Sequence, residues 1–356
     1  MIPSPLLCWP GAVPGEGEAA GVAAFYTNPY VEQRELEAGR GFVDLSHWQV
    51  LRGRSGAWPS DCLGVHNEPP GAYHAREVLE CDAEGRILNA LLRCPAGAGL
   101  GAGENSDAGE REDIFLSAPG GPDFGMYPAN YIAIGTTTQG AARLRAAMHN
   151  QPGLSATFWE DWWPGSDMVI LLAEDIEVLA RAGQAAGMSP VGLFAWTACR
   201  VAARRPDPFR AARAGAGLRD IYGPGLAGLR EIGGAGRSPA CLYLEGPDEA
   251  DLPEPGTPVH ADRVEAPALG YVTSAVRHWE EGPLALALLD REAAGYDAVG
   301  ATLGELGLGL GQESTALGAV RVAEFRCGVE SIPLPTHAPV AVTIRESGEK
   351  SVVGRD

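Results

Sequence analysis

With 356 residues, 45% of them hydrophobic and 21% charged, the chain has the composition of a globular protein long enough for two or three compact units. No apolar run approaches the ~20 residues of a membrane helix, and the N-terminus lacks a basic region followed by a long apolar core, so a cytoplasmic protein is expected. A formal charge of −19 sets the chain against direct contact with nucleic acid, and its one lysine, Lys350, sits in a polar tail, which excludes Schiff-base chemistry on a buried lysine.

Residues 1–21 are rich in Pro and Gly and read as irregular. Asn28-Pro29 then supplies a helix cap and first turn, and Gly39 a stop. Gly41 to Leu51 reads as one strand with partial alternation. Within it, Asp44, Ser46 and His47 suggest a hydrolytic triad, but neighbours on a strand point to opposite faces, so Ser46 and His47 would not meet. A structural role at the strand end is expected for Asp44. Glu77 to Leu92 reads as a hairpin turning at Asp82–Gly85. Gly97 to Asp113 is acidic and Gly-rich; it reads as a mobile surface loop, since it lacks the Lys-Ser/Thr ending of a phosphate cradle.

Ile114–Ser117, Tyr131–Ile134 and Met168–Ala173 are expected strands, and Thr138–His149 an expected helix. The aromatic and acidic run Phe158 to Pro164 reads either as a ligand platform or as an anchor between units. Asp175–Ala182 is expected to be a helix stopped by Gly183, and Ser189-Pro190 to start another that carries Leu193, Trp196 and Arg200 on one face. Arg210 to Gly236 reads as loop. The cluster Arg200, Arg204, Arg205, Arg210 and Arg213 reads as a solvated helix end rather than a nucleic-acid groove. Beyond it, Ala240–Glu245, Leu269–Arg277, Leu284–Leu289, Val320–Phe325 and Val340–Ile344 are short strands dense enough to predict an all-β C-terminal unit. Arg277-His278, before Trp279, reads as an exposed hairpin turn or a channel mouth. Seven scattered cysteines, an odd number with no C-x-x-C pair, argue against a disulfide framework and against a metal site.

Several blocks, in matching order over roughly Pro3 to Val322, resemble the YgfZ-type folate-binding proteins, relatives of the aminomethyltransferase (T-protein) of the glycine cleavage system. They are Gly41-Phe-Val-Asp-Leu-Ser-His, Ser55-Gly56, Gly85-Arg86-Ile87, Leu193 to Pro206, Gly270 to His278 and Gly282 to Leu289. The resemblance implies an α+β, multi-lobed cloverleaf around a central folate channel, with a C-terminal antiparallel β-barrel. On that basis we expect α+β lobes of the folate-binding type over 22–210, a glycine-rich connection over 211–239, the barrel over 240–330, and a last strand and tail over 331–356. The implied role is tetrahydrofolate-dependent support of iron–sulfur proteins, without turnover of its own and without membrane or nucleic-acid partners. The alternatives are a scaffold of the same fold whose pocket is plugged, by Tyr222 or by the Trp159–Trp163 cluster, and an aminomethyltransferase-like enzyme.

The departures from the family pattern bear on chemistry. Its signature loop, Lys-Gly-Cys-Tyr-x-Gly-Gln-Glu, counted back without gaps from Gly236-Arg237, falls with its lysine on Asp220, its cysteine on Tyr222 and its last two residues on Leu226 and Ala227. Only Gly225 survives. Tyr222 offers a hydroxyl and a ring face but no thiolate. The helix glutamate falls on Ala202, whereas Arg200 is retained. The T-protein's catalytic aspartate falls near Asn89, whose amide cannot supply a stabilising negative charge. Carried over residue by residue, the resemblance marks Asp44, Asn89, Arg200, Tyr222 and Gly225 as folate contacts and assigns no catalytic residue and no metal ligand. Arg200 would either clamp a ligand carboxylate or satisfy buried acids and carbonyls between lobes.

Overall fold

The computed structural model describes residues 3–54, 63–64, 76–94, 112–118, 126–149, 156–161, 163–213, 215–222, 236–247, 249–261, 267–290, 320–333 and 340–344. Among these, the long-range strand pairing forms three bodies. The first is a five-stranded sheet ordered Ala156–Glu160, Met168–Ala173, Ile132–Thr137, Gly41–Asp44, Ser189–Val191. The second is a seven-stranded sheet ordered Leu63–Gly64, Val340–Ile344, Arg76–Cys81, Ile87–Cys94, Glu112–Ser117, Gln49–Arg54, Tyr127–Pro128. The third is a closed antiparallel barrel ordered Arg237–Glu245, Gly282–Asp290, Ala268–His278, Pro258–Ala261, Val320–Val322, Phe325–Ser331. The protein is thus α+β, with a closed C-terminal barrel. None of the described helices is long and apolar enough to cross a membrane.

The first sheet is buried on both faces, and its sequence shows why. Along Met168–Ala173 every residue is apolar, and alternate residues enter two different cores. Val169, Leu171 and Ala173 pack with Phe42, Leu144 and Leu179, whereas Met168 and Leu172 pack with Val43, Trp159 and Trp196. Helices α2 (Thr138–His149) and α3 (Ile176–Ala185) cover the first face. Helices α1 (Pro29–Glu37) and α4 (Leu193–Ala202) contribute to the second.

Helix α1 begins as its sequence dictates: the Asn28 side chain accepts from the amides of Tyr30 and Val31, and Pro29 stands where no amide is needed. One turn in, Glu32 is buried, and its carboxylate is filled by donors from two segments. It accepts from the Tyr26 amide at 2.7 Å, from the Thr27 amide and hydroxyl, and from the Gly192 amide at 2.8 Å. Gly192 is the N-cap of α4, and a Cβ there would lie 2.1 Å from the Ala24 carbonyl oxygen, so only glycine lets the two segments meet. One carboxylate therefore sets where α4 starts.

Several sequence expectations are corrected. Gly41 to Leu51 is two strands in two sheets, because the Asp44 carboxylate captures the Ser46 amide at 2.8 Å and turns the chain. Ser46 and His47 thus lie in a turn, not on a strand. Ser189-Pro190 opens an edge strand, parallel to Gly41–Asp44, where proline's missing donor is tolerated; α4 starts at Leu193. Helix α3 runs past Gly183, which packs against Phe42, and the positive φ of Gly187 follows its end. The stretch read as loop from Arg210 contains most of α5 (Pro208–Arg213) and all of α6 (Leu218–Tyr222). Val320–Phe325 splits into two barrel strands at Ala323. Val340–Ile344 leaves the barrel and joins the second sheet, parallel to Arg76–Cys81. The hairpin at Asp82–Gly85 forms as read, with Asp82 accepting from the amides of Glu84 and Arg86. Most of Gly97–Asp113 lies outside the described residues; Glu112–Ser117 is a strand.

Replacing Glu32 by alanine leaves the buried amides of Tyr26 and Gly192 without partners. At ~1–3 kcal/mol for each unsatisfied buried donor, Glu32→Ala is expected to lower unfolding stability by about 3 kcal/mol. The measurement is the urea midpoint at unchanged slope.

Candidate functional site

Helix α4 turns one face toward a cavity of about 1030 Å³ that all three bodies wall. The first body and its helices contribute Trp159, Met168, Ile170, Leu193, Trp196 and Arg200; the second contributes Glu77, Leu91 and Leu92; the barrel contributes Ala275, Val276 and Arg277. The shared face of Leu193, Trp196 and Arg200 read from the sequence is the face that lines it. Toward solvent stand Tyr30 and Phe194, 42% and 52% exposed. The inner walls are Trp159, Glu77, His47 and Arg205, all buried. Trp48 and Phe209 line it as an aromatic pair, with centroids 5.6 Å apart at 54°.

Charges converge on its inner wall. Arg205 follows α4, and its guanidinium donates to Glu77 of the second sheet and, at 3.1 Å, to Asp161 at the end of the first sheet. It also lies 5.1 Å from the Trp163 ring centre. Burial opposes the Arg205 charge, but Asp161 and Glu77 outweigh it and hold the group above its ordinary pKa. Glu77 accepts a second bond from the Tyr222 hydroxyl, and burial together with Glu77 pushes that phenol well up. Arg200 donates to the Arg205 carbonyl at 2.7 Å and, across to the barrel, to the Ser274 hydroxyl at 2.8 Å. Its burial lowers it to about 10, with Asp207 opposing that shift. Asp207 is half-buried, which disfavours its charge, yet Arg200 and Arg210 hold its carboxyl below the usual range.

The residues marked from the sequence separate. Arg200 lines the cavity, with its guanidinium holding a carbonyl and a hydroxyl between bodies. Asp44 is not on the lining and instead turns the chain; burial raises its carboxyl. Asn89 sits half-buried on the second sheet and donates to Glu80, its partner across the hairpin. Tyr222, on α6 rather than in a loop, is fully buried behind Glu77. Gly225 lies outside the described residues. Where the family lysine was expected, the Asp220 carboxylate accepts from the amides of Gly217 and Arg237 at 2.8 and 3.0 Å.

The arginine cluster is not solvated as expected. Arg200 and Arg205 are buried, and Arg204, at φ 54°, bridges to Glu281 and Glu330 of the barrel. Arg277 belongs to the cavity lining, and His278 is buried against Glu37 of α1 at 2.9 Å, so this pair is not an exposed turn. Glu77, Asp161 and Arg205 were missed as site residues. A signal for Glu77 was present: it shares a strand face with Leu79 and Cys81, an acid among core apolar positions. Of the cysteines, Cys8 is exposed and Cys81, Cys94, Cys199, Cys241 and Cys327 are buried thiols. The described residues contain no cluster of metal-ligating side chains.

His47 is 5% exposed and lines the cavity. Burial, with Arg210 nearby, lowers its imidazole from 6.5 to about 4, so it is neutral at neutral pH. The fold therefore disfavours the proton that the unfolded chain takes up below 6.5. This part of the stability is complete above pH 6.5 and is lost as pH falls toward 4. In thermal melts from pH 7 to 4.5, His47→Asn is expected to lose less stability than the wild type. Parallel curves would remove His47 from the acid response.

No family model matches the sequence, and no curated protein matches it. Among solved structures the chain is similar to the crystal structure of glycine cleavage system aminomethyltransferase T from Bartonella henselae, with a TM-score of 0.57 at 16% identity, covering 94% of this chain and 97% of that one. Three bodies around one cavity, ending in a closed barrel, therefore make up a T-protein-like fold.

Proposed function

We propose that the cavity binds a tetrahydrofolate-type cofactor, and that the protein is a YgfZ-like accessory of iron–sulfur proteins rather than an aminomethyltransferase. The observation that carries this reading is the cavity itself: about 1030 Å³, shared by all three bodies of a T-protein-like fold and walled by Trp48, Trp159, Trp196 and Phe209. Its size and its mix of apolar wall with a few convergent polar groups suit a ligand of that kind. The fit is supported by buried polar atoms of two lining residues, Nε1 of Trp159 and Nδ1 of His47, which have no hydrogen-bond partner among the described residues. When bound, a reduced folate supplies one-carbon carrier chemistry. The chain's own part would be to enclose it between aromatic side chains and to meet its polar atoms with His47, Trp159, Asp161 and Arg200.

The same residues speak against aminomethyl transfer. By the sequence resemblance the T-protein's aspartate falls near Asn89, an amide bonded to Glu80 and absent from the cavity lining. A neutral amide does not stabilise a developing cationic centre as a carboxylate does. The plugged-scaffold alternative is disfavoured by the placement of the side chains named for the plug: Tyr222 packs behind Glu77, and Trp159 forms wall. The iron–sulfur role rests on the resemblance to the YgfZ branch.

Titration calorimetry with tetrahydrofolate under anaerobic conditions is expected to show saturable binding at one site per chain. No saturable heat at high concentration would remove the folate reading. Deletion of the gene is expected to lower the activities of iron–sulfur enzymes while leaving glycine cleavage intact; unchanged iron–sulfur activities would remove the accessory role.

A further inference from the structure

Within the cavity, the distribution of unpaired polar atoms carries information about the ligand. Trp159 stands on the strand Ala156–Glu160, opposite Ile170, and is 1% exposed. Its indole Nε1–H can only donate; it is buried, on a residue of the lining, with no acceptor among the described residues. An orphaned buried donor is costly, and buried side-chain donors are seldom left so. His47 Nδ1 is the second such atom on the same lining. Asp161, two residues beyond Trp159, is also on the lining. Its amide donates to the Met168 carbonyl at 2.9 Å, which extends the strand ladder by one residue and keeps the two side chains on one face. The Asp161 carboxylate accepts from Arg205 and has lone pairs to spare.

One face of one strand thus offers a donor at Trp159 and an acceptor at Asp161. That pattern matches the edge of a cyclic amide, in which a ring carbonyl accepts and the neighbouring ring N–H donates. A ring carrying an amine in place of the carbonyl would set donor against donor at Trp159. We propose that Trp159 is the specificity-determining residue of this cavity, selecting an oxo-heteroaromatic ring by donating to its carbonyl, with His47 meeting a further polar atom of the same ligand. The inference rests on the folate reading and narrows it to recognition of the ring carbonyl.

The test compares anaerobic binding of tetrahydrofolate and of its analogue in which the ring carbonyl is replaced by an amine, tetrahydroaminopterin. The wild-type protein is expected to prefer the carbonyl form about tenfold, the ratio given by one hydrogen bond of ~1.4 kcal/mol. Trp159→Phe keeps an aromatic wall without the N–H and is expected to weaken tetrahydrofolate about tenfold without weakening the analogue, and so to bring the ratio to one or below. A purely structural tryptophan would weaken both alike and leave the ratio unmoved, which overturns the proposal. Wild-type protein that binds both compounds equally overturns it without any variant, even if Trp159→Phe fails to fold. Wild-type protein that binds neither overturns the folate reading together with this one.

Discussion

The structure depends on the ion pairs of Arg205. Its guanidinium joins Glu77 of the second sheet to Asp161 of the first, while its carbonyl holds Arg200, which reaches Ser274 of the barrel. Placing a guanidinium and two carboxylates away from water is costly, and such a pair adds little net stability against an apolar replacement. What it supplies is position: losing one partner leaves an unpaired buried charge, at ~3–5 kcal/mol, so the three bodies have one arrangement in which every charge is matched. The cavity is the space that this arrangement leaves between them. Its inner wall is polar for that reason, whereas its sides, drawn from the cores of each body, are aromatic and aliphatic.

This division of labour explains how the protein can keep a T-protein-like fold with so different a set of residues. At the positions where the sequence resemblance led us to expect a lysine and a cysteine stand Asp220 and Tyr222, and both are spent on structure. Asp220 holds the start of α6 and the first strand of the barrel through two backbone amides. Tyr222 closes the far side of Glu77. Neither position is free to carry a reactive group, and the buried thiols that remain, Cys81, Cys199 and Cys241 among them, are pushed up by burial rather than activated.

What the sequence disclosed was local. The turn at Asp82–Gly85, the cap at Asn28 and the helix Thr138–His149 depend on residues within a few positions of one another, and they formed as read. The misreadings share a cause: the same signal serves two local structures, and distant contacts choose between them. Pro190 suits a helix start and an edge strand equally well, and the strand wins because Gly41–Asp44 offers it a parallel partner. Asp44 sits at the end of an apolar run, but its side chain reaches the Ser46 amide and breaks what would have been one strand. The residues of the cavity were least legible. His47, Glu77, Trp159 and Arg205 come from four segments and gain their meaning only where three bodies meet. The arginine cluster was visible as charge, yet its partners Glu77, Asp161, Glu281 and Glu330 lie dozens to more than a hundred residues away.

The strand Val340–Ile344 carries a consequence for biosynthesis. It pairs in parallel with Arg76–Cys81 and covers the edge that Val78 and Leu79 would otherwise share with solvent, but it emerges from the ribosome more than 250 residues after them. Until then the second sheet has an open edge, a template for pairing with another nascent chain. A sheet begun early and closed last gives long-range contacts and slow assembly, so the interval between synthesis of the hairpin and delivery of this strand is when the chain is most dependent on chaperones.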